Sequence, residues 1–120
     1  MSKIVQAVNA MISHPEKITN VIRGRREIFF LYKDKYKWSI MQDDGGDVRL
    51  WYYPGADSLQ SLASYEDTDW EGTPMVSYRS GDIGTREAQA SFSDLYSLLK
   101  ERVHGINEVL DDIISDNDEF

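Results

Sequence analysis

The side chains that most often carry catalysis are sparse in this 120-residue chain. Its two histidines, His14 and His104, each fall in a helical or helix-cap context with no nucleophile at motif spacing, and no G-x-S-x-G elbow occurs. Cysteine is absent, which removes thiolate nucleophiles, thiolate metal sites and disulfides together. Carboxylates are abundant, but sequence does not show which of them converge, so no acid–base pair stands out. Asp67-x-Asp69-x-Glu71-Gly72 has oxygen ligands at the alternating positions of a calcium loop. The twelfth position falls on Tyr78, which cannot supply the closing bidentate carboxylate. Ser80-Gly81-Asp82-Ile83-Gly84-Thr85 has neither the spacing nor the lysine of a phosphate loop. The expectation is a protein with no catalytic, metal or cofactor site.

Two other constellations suit binding. Arg23-Gly24-Arg25-Arg26, together with Lys33, Lys35 and Lys37, gathers cations over a short stretch, although strand lysines are also an ordinary device for guarding a sheet edge. The second constellation is aromatic. A strand register that buries Leu50 and Tyr52 points Arg49, Trp51 and Tyr53 the other way, onto an outer sheet face. Trp, Tyr and Arg are enriched at binding hot spots. Arg49, Trp51, Tyr53, Lys35, Lys37, Arg25 and Arg26 are therefore the candidate interaction surface. A cover from residues 56–74, whose Leu59, Leu62, Tyr65 and Trp70 need burial, explains the outer aromatics equally well, as does a homodimer. On the opposite face, Tyr32, Tyr36, Trp38, Tyr52 and Tyr78 are the candidate lining of a pocket between sheet and helices.

These residues need a scaffold, and hydrophobic periodicity supplies one. Ile4, Val5, Val8, Met11 and Ile12 mark one face of a helix, and Ile18, Val21 and Ile22 extend the spacing into a second, ending at Gly24. Between them Ser13 and Glu16 read as a capping box. Residues 27–53 then read as a meander of three antiparallel strands, with a hairpin turn over Asp43-Asp44-Gly45-Gly46-Asp47. A fourth strand is expected near 75–79 and a short fifth at 83–88. Phe92, Leu95, Leu99, Val103, Ile106, Leu110 and Ile113 recur at three or four residues in a long helix, with Ser93 as its N-cap and Gly105 as a bend. The acidic tail, 115–120, is expected to fray. The fold class expected is α+β: an antiparallel sheet of four to five strands with N-terminal helices and a long C-terminal helix on one face. No linker or repeat divides the chain, so 1–120 reads as one domain.

The net charge of −8 conceals an asymmetry. Residues 1–40 hold eight Lys/Arg against three acids, whereas residues 41–120 hold five against eighteen. A nucleic acid would be repelled by most of the surface. No apolar run approaches the ~20 residues that span a bilayer, and no signal segment is evident, so the expected location is cytoplasmic. The leading functional expectation is a non-enzymatic protein that holds another macromolecule: a protein partner, or itself as a homodimer. An acidic inhibitor, immunity-type or accessory protein that masks a basic partner would fit the charge. The alternative is a small-molecule-binding domain using the aromatic pocket.

Overall fold

The computed structural model of the chain describes residues 2–117. One antiparallel sheet carries five strands in chain order: β1 (Ile18–Arg23), β2 (Ile28–Tyr32), β3 (Tyr36–Gln42), β4 (Val48–Tyr53) and β5 (Val76–Arg79). Helix α1 (Lys3–Ser13) precedes the sheet and α2 (Leu59–Ser64) lies between β4 and β5. The short α3 (Ser80–Ile83), then α4 (Arg86–His104) and α5 (Ile106–Asn117), complete the chain. The α+β class and the meander over 27–53 are as expected from the sequence. Among the described residues, no helix is long and apolar enough to cross a membrane.

The β3–β4 hairpin shows how turn chemistry sets register. Asp43 Oδ1 accepts from the backbone N–H groups of Gly45 and Asp47 at 3.0 and 3.1 Å, closing the turn from inside. Arg79 of β5 reaches across with Nη2 2.7 Å from Asp47 Oδ2 and Nε 3.4 Å from Asp43 Oδ2. Partial desolvation opposes the charge on Asp43. The bonds from Arg79, from the two backbone N–H groups and from Arg49 outweigh it and hold the carboxyl below its ordinary value.

Strand β1 corrects the sequence reading, which placed a helix there. Thr19 pairs with Leu31 and Ile22 with Phe29, so the two residues Asn20 and Val21 stand opposite Phe30 alone. This is a β-bulge, and Asn20 takes the positive φ of 53° that asparagine tolerates. The bulge shifts the alternation by one, so Ile18 and Val21 both meet the helix-side core while Ile22 joins the other face. Inward residues three apart imitate a helical period. The Ser13/Glu16 box does not form either: α1 is followed by a single 3₁₀ turn, Pro15–Lys17, that leads directly into β1.

Helix α4 starts earlier than its large apolar residues suggest. Its N-cap is Thr85, which accepts from the Ala88 N–H at 3.1 Å, rather than Ser93. The first turns pack small residues instead: Ala88 and Ser91 are buried, and Ser91 Oγ donates to Asn9 Oδ1 of α1 at 2.6 Å. Residues 83–88, expected as a strand, form the end of α3 and the start of α4. Phe92, Leu95 and Leu99 are fully buried over Ile28, Phe30, Ile40 and Leu50 of the sheet, each worth roughly 1.5–3 kcal/mol of burial. At Gly105 the chain takes the left-handed conformation, φ 64°, and α5 departs as a separate helix. Residues 115–117 are helical rather than frayed, and 118–120 lie outside the described residues.

The outer sheet face is covered too. Ser58 caps α2 by accepting from the Ser61 N–H at 3.1 Å. Leu59 and Leu62 then close over Phe29 and Tyr53, with Trp51, Tyr65 and Trp70 packed around them. Trp70 stacks on Phe29 and Tyr53, with ring centres 6.2 and 5.7 Å apart. Gly24 sits where a Cβ would stand 2.5 Å from Phe29 Cε2, so only glycine lets that ring lie flat against the turn.

Candidate functional site

Helix α1 leans on α4 and overhangs the β3–β5 corner of the sheet with Ala7, Ala10 and Met11. Two alanines a helical turn apart leave the space that larger residues would fill. Facing them from four adjacent strands are Tyr32 of β2, Tyr36 and Trp38 of β3, Tyr52 of β4 and Tyr78 of β5. The result is a cleft of about 430 Å³. All five residues read from the sequence as a pocket lining converge there, because alternation along each strand places them on one face. Ala7, Ala10, Met11 and Lys33 were missed. Paired alanines on one face of α1 were the available signal, since small residues mark where a helix and a sheet need not touch.

The rings are ordered by one another. Trp38 and Tyr52 tilt at 49° with centres 5.0 Å apart, and Tyr36 meets Tyr52 at 6.4 Å. Trp38 Nε1 is buried and, among the described residues, has no hydrogen-bond partner. An unmet donor of this kind costs about 1–3 kcal/mol. The rim is open and mixed: Tyr36 is 39% exposed, and Lys35 Nζ lies 4.9 Å from the centre of its ring.

The candidate interaction surface does not assemble in the same way. Tyr53 is only 3% exposed, and its hydroxyl exchanges a 2.7 Å hydrogen bond with Ser39 Oγ in the outer core. Burial pushes its pKa up to about 12, against the Ser39 bond and with help from the charge on Glu27. Trp51 is half-buried in the same cluster. Lys37 donates to the carbonyls of Gly55 and Asp57 at 2.5 and 2.6 Å, which ties down the loop leading to α2. Arg49 faces Asp43 at 3.5 Å, and Arg25 faces Glu66 at 3.7 Å. Lys35 and Arg26 are exposed in the turns at opposite ends of β2. The cover from residues 56–74 explains why: it takes the apolar members of the set for the core and leaves the polar ones apart.

The acidic loop has a local role. Asp69 Oδ2 accepts from the Glu66 N–H at 2.9 Å, half of a capping box on the 3₁₀ turn that carries Trp70. His14 faces Glu16 at 3.4 Å on the surface. Ser97 and Lys100 have the S-x-x-K spacing of a serine–lysine pair. Both are exposed on α4, and among the described residues no hydrogen bond joins them. No family model, curated protein or solved structure matches this chain.

Proposed function

We propose that this chain is a non-enzymatic binding protein that holds a small, largely apolar molecule with an aromatic portion in the cleft between α1 and the sheet. One observation carries the reading: five aromatic rings from four strands surround about 430 Å³ that the protein's own side chains leave open. That volume falls within the roughly 300–1,000 Å³ of small-ligand sites. Flat rings at tilted angles suit a flat guest. The test is titration with a fluorescent aromatic probe, 1-anilinonaphthalene-8-sulfonate, on the wild type and on Ala7→Phe, which fills the cleft from α1. Saturable one-to-one binding that weakens at least about tenfold in the variant supports the reading. Equal binding by both proteins, or none by the wild type, overturns it.

A second reading, a macromolecular partner, draws on α5. Val109, Leu110, Ile113 and Ile114 are about half exposed along one side of that helix, beside Glu108, Asp111 and Asp112. An apolar stripe with acidic flanks is suited to a groove with a basic rim. It predicts an association whose on-rate falls with salt. Light scattering on the wild type and on Leu110→Glu checks the self-association form of this reading: a wild-type dimer that the variant converts to a folded monomer supports it, and a wild-type monomer removes it.

A further inference from the structure

The bulge in β1 has a consequence for charge. In an unbroken strand that buries Ile18, Arg23 would point to the outer face, five residues on. The extra residue turns it instead to the helix side, in register with the buried Ile28. There Arg23 and Arg26 meet Lys100 and His104 of α4 around a pocket of about 260 Å³, with Tyr96 and Glu27 in its wall. Lys100 and His104 are four residues apart, on one face of the last turns of α4.

These cations are gathered without being paired. Among the described residues, Arg23, Arg26 and Lys100 enter no ion pair, and Lys100 Nζ rests 5.5 Å from the centre of the Tyr96 ring. Glu27 is the only carboxylate that lines the pocket among the described residues, in a chain whose net charge is −8. Cations near a helix C-terminus are stabilised by its dipole, which accounts for Lys100 and His104. It does not account for two arginines delivered from the end of β1 and from the turn that follows it. Arg102, by contrast, spends its guanidinium on the carbonyls of Ile18 and Pro15, at 2.9 and 2.6 Å.

We propose that this pocket binds the phosphate group of a small phosphorylated molecule. Arg23 and Arg26 supply forked donors that match phosphate oxygens, and Lys100 supplies a compact charge. The pocket falls below the usual range for drug-sized ligands, so the phosphate is the principal group it encloses. It stands at the Ile28 end of β2, whereas the aromatic cleft stands at the Tyr32 end, about 13 Å of strand away. The two sites are independent, and this inference does not rest on the cleft.

The experiment is an amide-shift titration of ¹⁵N-labelled protein with inorganic phosphate and with pyrophosphate, at ionic strength held constant with chloride. The expected result is saturable shifts confined to residues 23–28 and 96–104. Their affinity falls at least about tenfold in the double variant Arg23→Gln, Lys100→Gln, since each loses charge-assisted hydrogen bonds. Ala7→Phe leaves it unchanged. Both substituted side chains are exposed, and an otherwise unaltered spectrum reports that the double variant is folded. Shifts that fail to saturate, or that persist in the double variant, overturn the proposal. Binding to a single-stranded oligonucleotide with none to pyrophosphate also overturns it, because it would mark a polyanion track rather than a phosphate pocket.

Discussion

The two faces of the sheet carry the same kinds of residue and put them to opposite use. On the outer face, Phe29 and Tyr53 stack with centres 6.0 Å apart, and Trp70 stacks on them at 6.2 and 5.7 Å. On the helix face, Trp38, Tyr36 and Tyr52 are in ring contact at 5.0 and 6.4 Å, yet Tyr36 remains 39% exposed. The difference lies in what stands opposite. Residues 56–74 present Leu59, Leu62 and Trp70 to the outer rings, whereas α1 presents Ala7 and Ala10 to the inner ones. Aromatic content alone therefore does not make a site. A site needs aromatics whose covering element is too small to fill the space.

The largest expected effect tests that contrast in stability. Phe29 is 1% exposed and stacked on two rings, so Phe29→Ala should cost about 3–5 kcal/mol. Tyr36→Ala, at the open rim of the cleft, should cost about 1 kcal/mol or less. Urea unfolding of the two variants measures both. Comparable losses would mean that the cleft rings are as much core as the outer ones, and the distinction between the faces would fall.

A second test uses ionisation. Burial raises the Tyr53 hydroxyl to about 12 from an ordinary 10, with the Ser39 bond opposing and the Glu27 charge adding to the rise. The fold thus favours the protonated phenol. The stability it contributes is fully present below pH 10 and is lost as the pH climbs from 10 through 12. In an alkaline absorbance titration, one tyrosine should titrate near 12, and Tyr53→Phe should abolish that component. Amplitude lost near pH 10 instead of near 12 in the variant would place Tyr53 in water, and with it the outer face.

How far this contrast can be read from sequence depends on periodicity. Alternation in Tyr36-Lys37-Trp38-Ser39-Ile40 and Val48-Arg49-Leu50-Trp51-Tyr52 assigns each ring to a face, and the register bears this out: Trp38 pairs with Tyr52 and Ser39 with Trp51. The lining of the cleft was legible for the same reason. The β1 bulge was not, because an extra residue converts a period of two into inward positions three apart, the signature of a helix. The start of α4 was hidden as well, since Ala88 and Ser91 pack against α1 through small size rather than hydrophobicity. The convergence of Arg23 with Lys100 and His104 joins residues more than seventy positions apart, and it depends on the very bulge that periodicity misread.

The smallest expected effect is the most discriminating for the cleft. Trp38→Phe keeps a flat ring in place and removes the Nε1 donor that has no partner among the described residues. Two contributions then oppose each other. Loss of the larger ring costs packing, while removal of an unsatisfied buried donor returns part of its desolvation penalty, so the net change should lie within about 1 kcal/mol. On the outer face, where Phe29 and Tyr53 are enclosed, a comparable truncation has no such compensation. Binding of a flat aromatic guest should change little, because the buried Nε1 is out of its reach and a flat ring stays in the cleft wall. A stability loss of several kcal/mol would show instead that the indole is an enclosed core residue, and the helix face would then resemble the outer face after all.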